Sequence, residues 1–474
     1  MDYLKESDFA YACSIDRRRD LACAEGREVT SLDLVVRNIS LVVGAIALAY
    51  TGPLIVLGVL YTRRCDASLR GQLGLRHGEP VALPEGWTVF VLVPCLNEAR
   101  VIANTVRWLC EFQPGVRVCV IDDGSDDGTA AIAEAAGGDR IAVVRRALPD
   151  ARRGKGAALN TGLRFVRCRV RDEALEPARV LVCVLDADGR MTPGAAARMT
   201  VLFEKPEIGG AQLAVRIRGR AGVALRFQDY EFWGLGAMTQ FGRILTGSVS
   251  MGGNGQFTRL SALDGVGEHP WSDSLTEDLD LGISLAVHGW TVTSTTGAYV
   301  SQQGLADPRR LLRQRTRWFH GHMSAIGRLP ELWTRPGIRF ATRAELTGYL
   351  FIPYLFTVPW SILQQYWLLS SAYRLGPKLS ILATGPVWMA VVQVLGWYVL
   401  FCSVYLACAL VYWRRTDDLP LWKPLIYAPA QLLWNYVSFV AAWRAVARIL
   451  TGRRGWTKTE RAVEAPVTAP SKAL

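Results

Sequence analysis

The hydrophobic pattern divides the chain into two apolar ends and a mixed middle. An uncharged apolar run at residues 39–61 is long enough to cross a bilayer, and further apolar stretches lie at roughly 345–371, 379–413 and 425–450. Between residues 88 and 300, short strand-type runs alternate with segments of helical periodicity. This pattern predicts an α/β domain with a mainly parallel central sheet and transmembrane helices on both sides of it.

Polar residues follow the predicted strands at the points where those strands end. Strand-type runs are expected at residues 89–93, 116–121, 141–145 and 180–185. The polar loops behind three of them are Pro94 to Glu98, Asp122 to Ser125, and Asp186 to Asp188. Since ligands of parallel sheets bind beyond the carboxyl ends of the strands, we expect these loops to meet at one site.

Charge places the segments relative to a membrane. Arg63 and Arg64 directly follow the first apolar run, and the positive-inside rule puts that end in the cytoplasm. The predicted segments are a mixed-charge segment at 1–33, a transmembrane helix at 34–64, a linker at 65–87, the cytoplasmic α/β domain at 88–306, an amphipathic interface helix at 307–333, two or three transmembrane or re-entrant helices at 345–450, and a tail at 451–474 that is basic and then disordered. We therefore predict a multi-pass protein of the cell (plasma) membrane.

The number of C-terminal crossings is set by one ambiguous stretch. Residues 345–371 contain Pro353 and Pro359, which favour a broken or re-entrant segment. Three crossings would leave the basic tail outside the cell, against the positive-inside rule, whereas two crossings leave it in the cytoplasm. We favour two crossings and a cytoplasmic tail.

Composition narrows the class of protein. The net charge is +12, but the arginines cluster beside the apolar segments and near the polar loops, and the sequence has no recognisable nucleic-acid-binding motif. A basic cytoplasmic membrane face that handles an anionic substrate explains the charge better than nucleic acid does. The ten cysteines include no Cys-x-x-Cys pair and the five histidines lack metal-ligand spacing, so neither zinc sites nor disulfides are expected.

Asp186 and Asp188 end the fourth strand-type run and are separated by one residue. Alternate residues of a strand face the same side, so both carboxylates can converge on one point. Paired carboxylates suit a hard divalent cation such as Mg2+ or Mn2+. The alternative is an ordinary acidic turn after a strand, which is common for Asp-x-Asp.

Two further loops are candidates for contact with a nucleotide. Asp122 and Asp123 close the second strand-type run, where carboxylates can accept hydrogen bonds from a base or a ribose hydroxyl. Lys155 lies in the sequence Arg-Arg-Gly-Lys-Gly, whose glycines allow a phosphate to approach and whose lysine supplies a positive charge. The alternatives are an ordinary turn for the first loop and a solvated basic loop for the second.

The second half of the domain carries two more motifs. Glu277 and Asp278 start a helical run, where one carboxylate could cap the helix or serve as the general base for a hydroxyl nucleophile. Gln314, Arg317 and Trp318 fall within one turn of a predicted helix. Arginine suits a diphosphate leaving group and tryptophan a sugar face, although a helix resting on lipid headgroups would have the same sequence.

Six motifs in this order resemble those of the membrane-bound family 2 glycosyltransferases, the group of cellulose, chitin and hyaluronan synthases. They are Pro94-Cys95-Leu96-Asn97-Glu98, Asp122-Asp123-Gly124-Ser125, Gly154-Lys155-Gly156, Asp186-Ala187-Asp188, Thr276-Glu277-Asp278 and Gln314-x-x-Arg317-Trp318. The resemblance covers about residues 88–330 and implies a GT-A fold. The sequence from Gly455 to Arg461 is also similar to the Trp-x-Lys-Thr tail of some bacterial members.

The resemblance implies a role for each motif. The residues that would surround the nucleotide and its diphosphate are Pro94, Glu98, Asp122, Asp123, Lys155, Asp186, Gln314, Arg317 and Trp318. Asp186 and Asp188 would hold the diphosphate through Mg2+ or Mn2+. Asp278, with Glu277 beside it, would deprotonate the acceptor hydroxyl. The glycine-rich sequence at 252–255 would shape the acceptor end.

The implied reaction is inverting transfer of a sugar from a nucleotide sugar, preferably a UDP-sugar, to a glycan or lipid acceptor at the bilayer. The Gln-x-x-Arg-Trp motif favours a β-linked polysaccharide, with an accessory or secretion subunit as a further partner. The small number of predicted membrane segments favours the alternative, a non-processive glycolipid glycosyltransferase. A nucleotide-binding transporter or scaffold is less favoured, because transport would not require a general base such as Asp278.

Overall fold

The computed structural model describes residues 31–72, 80–219, 222–373, 386–416, 418–453 and 461–464. Three predicted regions lie outside this part of the chain. They are the mixed-charge segment except for residues 31–33, the residues Gly455 to Glu460, and the last ten residues of the tail. The strands are β1 (Thr88–Cys95), β2 (Arg117–Asp122), β3 (Ile141–Arg145), β4 (Val180–Val184), β5 (Arg190–Met191), β6 (Ile208–Arg218), β7 (Gln256–Arg259) and β8 (Thr291–Gln303).

The helices fall into a group within the α/β domain and a group at the two ends. Those of the domain are α2 (Ile102–Phe112), α3 (Thr129–Gly137), α4 (Lys155–Asp172), α5 (Ala195–Leu202), α6 (Val223–Asp229), α7 (Ala237–Gly242), α8 (Leu260–Val266) and α9 (Glu277–Val287). The others are α1 (Ser31–Gln72), α10 (Pro308–Ser324), α11 (Leu329–Thr334), α12 (Phe340–Ile352), α13 (Val358–Tyr373), α14 (Val387–Arg414) and α15 (Lys423–Leu450).

The strands form one eight-stranded sheet in the order β3-β2-β1-β4-β7-β6-β8-β5. The pairs β3/β2, β2/β1, β1/β4 and β6/β8 are parallel, while β7 runs antiparallel to both of its neighbours and β5 runs antiparallel to β8. The predicted mainly parallel α/β sheet is therefore confirmed. The neighbours β1, β2 and β4 end at the same edge, which brings the polar loops behind them together.

Hydrophobic side chains cover both faces of this sheet, because successive strand residues point to opposite sides. On β1, Val89, Val91 and Val93 pack in a cluster with α2 and α5, whereas Phe90 and Leu92 pack in a second cluster with α4 and α8. Burial of both faces explains why the strand sequences are continuous apolar runs. It also leaves the strand ends as the place where polar side chains can gather.

Among the residues that the structure describes, two helical stretches are long and apolar enough to cross a membrane, Ser31–Arg64 within α1 and Phe340–Ser370. The second was expected to be broken at Pro353, but the chain continues from α12 to α13 through a π-helical turn at Pro353–Thr357. A wider turn of this kind lets a helix accommodate a proline without ending. The first stretch continues to Gln72, so the start of the predicted linker is helical.

Helix α1 packs against the domain at very short range. A Cβ atom on Gly58 would lie 2.0 Å from the carbonyl oxygen of Met238, and one on Gly242 would lie 2.1 Å from that of Leu54. Only glycine permits this approach of α1 to α7, since any Cβ would overlap backbone atoms. The candidate membrane helix is thus in direct backbone contact with the element next to the site described below.

Helix α10 forms most of the segment predicted as an amphipathic helix. Asp307 caps it by accepting hydrogen bonds from the backbone N–H groups of Arg309 (2.7 Å) and Arg310 (3.0 Å). Its C-terminal end packs through Met323 on Ala442 of α15. One side of α10 is therefore covered by α15, and another side faces the cavity at the strand ends.

Candidate active site

A cavity of about 870 Å3 lies at the carboxyl ends of the strands and continues between α10 and a π-helical segment at Tyr230–Gly236. We call its two parts the strand-end half and the helix half. Residues that line the strand-end half include Pro94, Glu98, Asp123, Lys155 and Asp186. Residues that line the helix half include Glu231, Phe232, Gln240, Arg243, Trp318 and Tyr349.

Of the two adjacent aspartates after β2, Asp123 lines the cavity. Its Oδ1 accepts hydrogen bonds from the guanidinium of Arg146 and from the backbone N–H of Arg152 at 3.0 Å. Burial raises its pKa, although these two donors oppose the shift. Asp122 is not among the lining residues; its Oδ1 accepts the backbone N–H of Ser125 at 3.3 Å and so shapes the loop.

Lys155 lies at the centre of the carboxylates, a placement that its basic loop did not reveal. Its Nζ donates to Asp186 Oδ1 at 2.7 Å and to the carbonyl oxygen of Gly253 at 2.8 Å, and it lies 3.7 Å from Glu277 Oε1. Burial alone would lower the pKa of Lys155, but Asp186 and Glu277 hold the pKa above its ordinary value. The lysine is therefore a fixed positive charge between two acidic groups.

Asp186 and Asp188 fit a hard divalent cation. Asp188 is fully buried, its Oδ2 accepts the backbone N–H of Gln303 at 2.9 Å, and its Oδ1 accepts no hydrogen bond from the described part of the chain. Asp186 lines the cavity beside it. Two carboxylates with one unbonded buried oxygen are the donor type that Mg2+ and Mn2+ prefer. Across the described residues, no group of three or more His, Cys, Asp or Glu side chains could hold a metal. Asp186 and Asp188 are therefore the candidate protein ligands for a cation.

Residues 461–464 of the tail cross the strand-end half, although the tail was predicted to be disordered. The guanidinium of Arg461 lies 3.2 Å from Asp188 Oδ1 and 3.8 Å from Asp186 Oδ2. The side-chain amide of Gln303 exchanges two hydrogen bonds of 3.0 Å with the backbone of Ala462. Glu464 forms ion pairs with two arginines, Arg190 and Arg218. This short segment is thus anchored over the carboxylate pair.

Glu277 and Asp278 form the first turn of α9 and lie between the two halves. Burial, followed by the negative charge of Asp278, raises the pKa of Glu277 to about 7. Burial also raises the pKa of Asp278, and the charge of Lys155 opposes that shift. A buried carboxylate with a raised pKa is a stronger base, which is what proton abstraction from a hydroxyl requires.

Helix α10 is pressed onto the loop that carries these carboxylates. A Cβ atom on Gly321 would lie 2.5 Å from the side chain of Thr276, so a glycine is needed at that contact. Gln314, Arg317 and Trp318 of the same helix all line the cavity. The positive charge of Arg317 acts on both carboxylates of α9 and on Asp186, and its buried Nε has no hydrogen-bond partner among the described residues. Arg317 can therefore bind an anion at this point.

The helix half contains a set of residues that sequence reasoning missed. Arg315 forms an ion pair with Glu231 at 2.6 Å, and its guanidinium lies over the rings of Trp318 (4.6 Å) and Phe232 (5.2 Å). The π-helical segment places Glu231 and Phe232 in the cavity although they are consecutive. A carboxylate within the aromatic run Tyr-Glu-Phe-Trp was the available signal, because charged residues are rarely placed among apolar ones without a partner.

A buried charged cluster closes the far end of the helix half. Arg243 Nε lies 2.8 Å from Glu345 Oε1, and Arg243 also donates to the hydroxyl of Tyr50 at 2.8 Å. Its guanidinium stacks 3.8 Å above the ring of Tyr349. Tyr50 belongs to α1, and Glu345 and Tyr349 belong to α12, so the cluster connects both candidate membrane helices to the domain. A glutamate at the edge of a predicted membrane segment was the signal for it.

The comparisons with known proteins concern the α/β domain and its family. The family described as "Glycosyltransferase like family 2" matches residues 84–321. The beta-monoglucosyldiacylglycerol synthase of Synechocystis sp. is 32% identical over 279 residues, which cover 56% of this chain and 54% of that protein. The polyprenol monophosphomannose synthase of Mycolicibacterium smegmatis is 29% identical over 151 residues, which cover 31% of this chain and 51% of that protein. The chain thus spans about half the length of these curated relatives.

One solved structure resembles the chain over most of its length. The mannosyltransferase PcManGT from Pyrobaculum calidifontis, solved in complex with GDP-Man and Mn2+, superposes with a TM-score of 0.50 at 16% identity. The superposition covers 87% of this chain and 100% of that protein. At this level of identity the likeness is one of fold, and it supports the predicted GT-A type of α/β domain.

Proposed function

The chain belongs to glycosyltransferase-like family 2, and we propose that it transfers a sugar from a nucleotide sugar to a hydroxyl group of a membrane lipid. The observation that carries this proposal is that one cavity is lined by Asp186, Lys155 and the two α9 carboxylates, and that this cavity continues to α12. A nucleotide sugar can enter such a cavity at the strand ends. The acceptor can then approach from the side of the membrane helices.

We assign the strand-end half to the donor. Asp123, with Glu98 and the backbone near Pro94, would bind the base and ribose, since this part of the cavity lies beyond β1 and β2. Asp186 and Asp188 would hold Mg2+ or Mn2+, and Lys155 and Arg317 would lie close to the diphosphate. A bound cation would offset charge on the departing nucleoside diphosphate. We favour a UDP-sugar as the donor, as the sequence resemblance implied.

Asp278 is the base in this proposal. The acceptor oxygen attacks C1 of the sugar while the bond from C1 to the diphosphate oxygen breaks, and the hydroxyl proton passes to the Asp278 carboxylate. A single displacement inverts the configuration at C1. Gln314 and Trp318 of α10 would cover the reacting groups, because their helix is held against the α9 loop at Gly321.

We favour a lipid acceptor over the β-linked polysaccharide that the Gln-x-x-Arg-Trp motif predicts. The relative from Synechocystis sp. is named for a diacylglycerol product. Within the described part of the chain, two helical stretches are able to span a bilayer, and Tyr349 of the second lines the cavity. We further propose that both stretches cross the cell membrane and that the α/β domain is cytoplasmic. The polysaccharide remains a second candidate, because Gln314, Arg317 and Trp318 form the motif shared with polymer synthases.

The test uses purified full-length protein in lipid nanodiscs. UDP-glucose, UDP-N-acetylglucosamine and GDP-mannose are offered separately with Mn2+, Mg2+ or a chelator, and products are identified by mass spectrometry of the lipid and water phases. We expect metal-dependent release of a nucleoside diphosphate and a lipid carrying one or a few sugars. A long water-soluble glycan would instead identify a polysaccharide synthase, and the absence of release with every donor would contradict glycosyl transfer.

A further inference from the structure

The helix half presents unused hydrogen-bond acceptors. Glu231 Oε2 receives Arg315 at 2.6 Å and the indole N–H of Trp434 at 3.4 Å, while its Oε1 has no donor in the described chain. Gln240 uses its Nε2 to donate to Gln212 O (3.0 Å) and Ser294 Oγ (2.8 Å), and its Oε1 likewise has no donor there. Both side chains line the cavity. A ligand that donates hydrogen bonds would satisfy these two oxygens.

The positive charges around the helix half are already neutralised. Arg315 is paired with Glu231, and Arg243 is paired with Glu345. His322 lines the same half, and burial lowers its pKa to about 4, so the imidazole is uncharged at neutral pH. The ring accepts or donates one hydrogen bond at the carbonyl oxygen of Tyr349, at 3.0 Å. An anion placed beside Glu231 would meet a carboxylate, while Arg315 and Arg243 already have carboxylate partners.

We propose that the helix half is the acceptor site, that it takes an uncharged hydroxyl-bearing lipid headgroup, and that Glu231 and Gln240 select this headgroup. The inference rests on the proposed function and adds the class of acceptor and the residues that recognise it. A neutral polyol donates hydrogen bonds to both free oxygens. A phosphate only accepts hydrogen bonds at neutral pH, so it leaves those oxygens unsatisfied and is repelled by the Glu231 carboxylate.

The aromatic residues of the helix half are held in fixed positions by contacts with each other and with Arg315. Phe232 and Trp318 meet edge to face, with ring centroids 6.0 Å apart, and Arg315 contacts both rings. Arg315 is therefore occupied on two sides by rings and on a third by Glu231. This arrangement fixes an apolar surface next to the two free oxygens, which suits the face of a sugar or the carbon backbone of glycerol.

The acyl chains of such an acceptor have an adjacent apolar surface. Tyr349 of α12 and Ser438 of α15 line the cavity, so its wall is built partly from helices outside the α/β domain. Farther along the candidate membrane stretch, Leu355, Ile362 and Leu369 are 44%, 57% and 70% exposed. Exposed side chains of this size along one helix match contact with lipid. The headgroup can thus reach the cavity while the chains remain in the bilayer.

The test compares acceptors that differ in charge. Wild-type protein is placed in phosphatidylcholine nanodiscs that contain diacylglycerol, phosphatidylglycerol or a polyprenyl phosphate at equal mole fraction, with phosphatidylserine added to equalise surface charge. Donor consumption and lipid product are measured together with Mn2+ and the active donor. We expect kcat/KM for diacylglycerol to exceed that for either anionic acceptor by at least about tenfold.

A variant tests the residue assignment. Glu231→Gln keeps the side-chain shape but removes the carboxylate, so KM for diacylglycerol should rise roughly tenfold and discrimination against phosphatidylglycerol should fall. The KM of the donor is measured in parallel, because the donor is assigned to the other half. The matched control is Glu331→Gln, because Glu331 pairs with Arg328 outside the cavity. This control should leave every acceptor parameter unchanged.

The outcomes separate this inference from the proposed function. Efficient transfer to phosphatidylglycerol or polyprenyl phosphate by the wild type would overturn the inference and leave the glycosyltransferase assignment intact. Failure of every donor to release its nucleotide would overturn the assignment itself. Since the wild-type acceptor series decides the class of acceptor, the conclusion does not depend on whether Glu231→Gln folds. A folded Glu231→Gln protein with unchanged acceptor preference would overturn the role of Glu231.

Discussion

The two halves of the cavity differ in how their charged side chains are paired. In the strand-end half, Lys155 lies near both Asp186 and Glu277, and Arg461 lies near both Asp186 and Asp188, so each cation is shared between two carboxylates. In the helix half, Arg315 and Arg243 are each matched to a carboxylate. A site for a charged ligand needs groups that can exchange partners, whereas balanced pairs hold a shape. The difference supports the proposed assignment of a charged donor to one side and a neutral acceptor to the other.

The largest expected effect comes from the carboxylate between the halves. Asp278→Asn removes the proposed base while keeping the side-chain shape, so transfer should fall by about 1,000-fold or more. Binding of nucleotide and of lipid should remain, because neither half loses a contact of its own. Transfer assays, with nucleotide binding measured by calorimetry, would check both parts of this expectation.

Asp280→Asn is the matched control for that variant. Asp280 lies two residues further along α9, pairs with Arg328 and does not line the cavity. It should leave transfer within about threefold of the wild type, since a partly exposed ion pair contributes little. If Asp278→Asn leaves the transfer rate unchanged, Asp278 is not the base, and Glu277 becomes the candidate base.

The next effect should be confined to the strand-end half. Asp188→Asn replaces a fully buried carboxylate with a neutral amide whose oxygen can still accept the N–H of Gln303. We expect Mn2+ affinity to fall at least tenfold and transfer to fall about 100-fold, because a cation site loses half of its protein carboxylates. Titration of Mn2+ followed by electron paramagnetic resonance reports the affinity directly. The KM for the lipid should stay constant, and a parallel rise would show that the halves are not independent.

The corresponding effect in the helix half is on stability. Arg243→Met leaves the buried Glu345 carboxylate without its cation, which should cost about 3 kcal/mol of unfolding free energy. The double variant Arg243→Met with Glu345→Met should recover most of that loss. Denaturation of both proteins in detergent measures this cycle. Nucleotide binding by the folded double variant should be normal, and a large loss of it would contradict the separation of the halves.

The strand-end half was predictable because each of its parts is encoded in a short segment. Apolar runs of five to eight residues specify β1, β2 and β4, and the parallel order brings the ends of neighbouring strands together. The carboxylates that follow need no long-range information to be placed at that edge. The sequence did not reveal that Lys155 would lie between Asp186 and Glu277, because that contact joins the start of α4 to the start of α9.

Apart from Trp318, the helix half was not predictable, because its contacts join distant parts of the chain. The cluster around Arg243 combines residues of α1 and α12, which are separated by the whole domain. The π-helical segment that turns Glu231 and Phe232 into the cavity has no sequence signal comparable to the strand ends. Glu231 and Glu345 were still visible as carboxylates in apolar surroundings, which marks a position to examine but does not identify its partner.

The smallest predicted effect concerns the tail that contacts the strand-end half. Because the guanidinium of Arg461 lies 3.2 Å from Asp188 Oδ1, it occupies the position that a divalent cation would approach. Arg461→Ala should therefore raise Mn2+ affinity in the absence of nucleotide by roughly threefold to tenfold, since a competing charge is removed. Paramagnetic titration of the nucleotide-free protein measures this change.

Glu464→Gln separates competition from general loosening of the tail. This variant keeps Arg461 but weakens the ion pairs with Arg190 and Arg218 that anchor the segment, so Mn2+ affinity should rise in the same direction by a smaller factor. Unchanged affinity in both variants would mean that Arg461 and the cation do not compete. A rise in both variants would mean that Arg461 balances the carboxylates of the strand-end half until the donor and its metal bind. In the helix half, by contrast, the ion pairs of Arg243 and Arg315 balance the charge permanently.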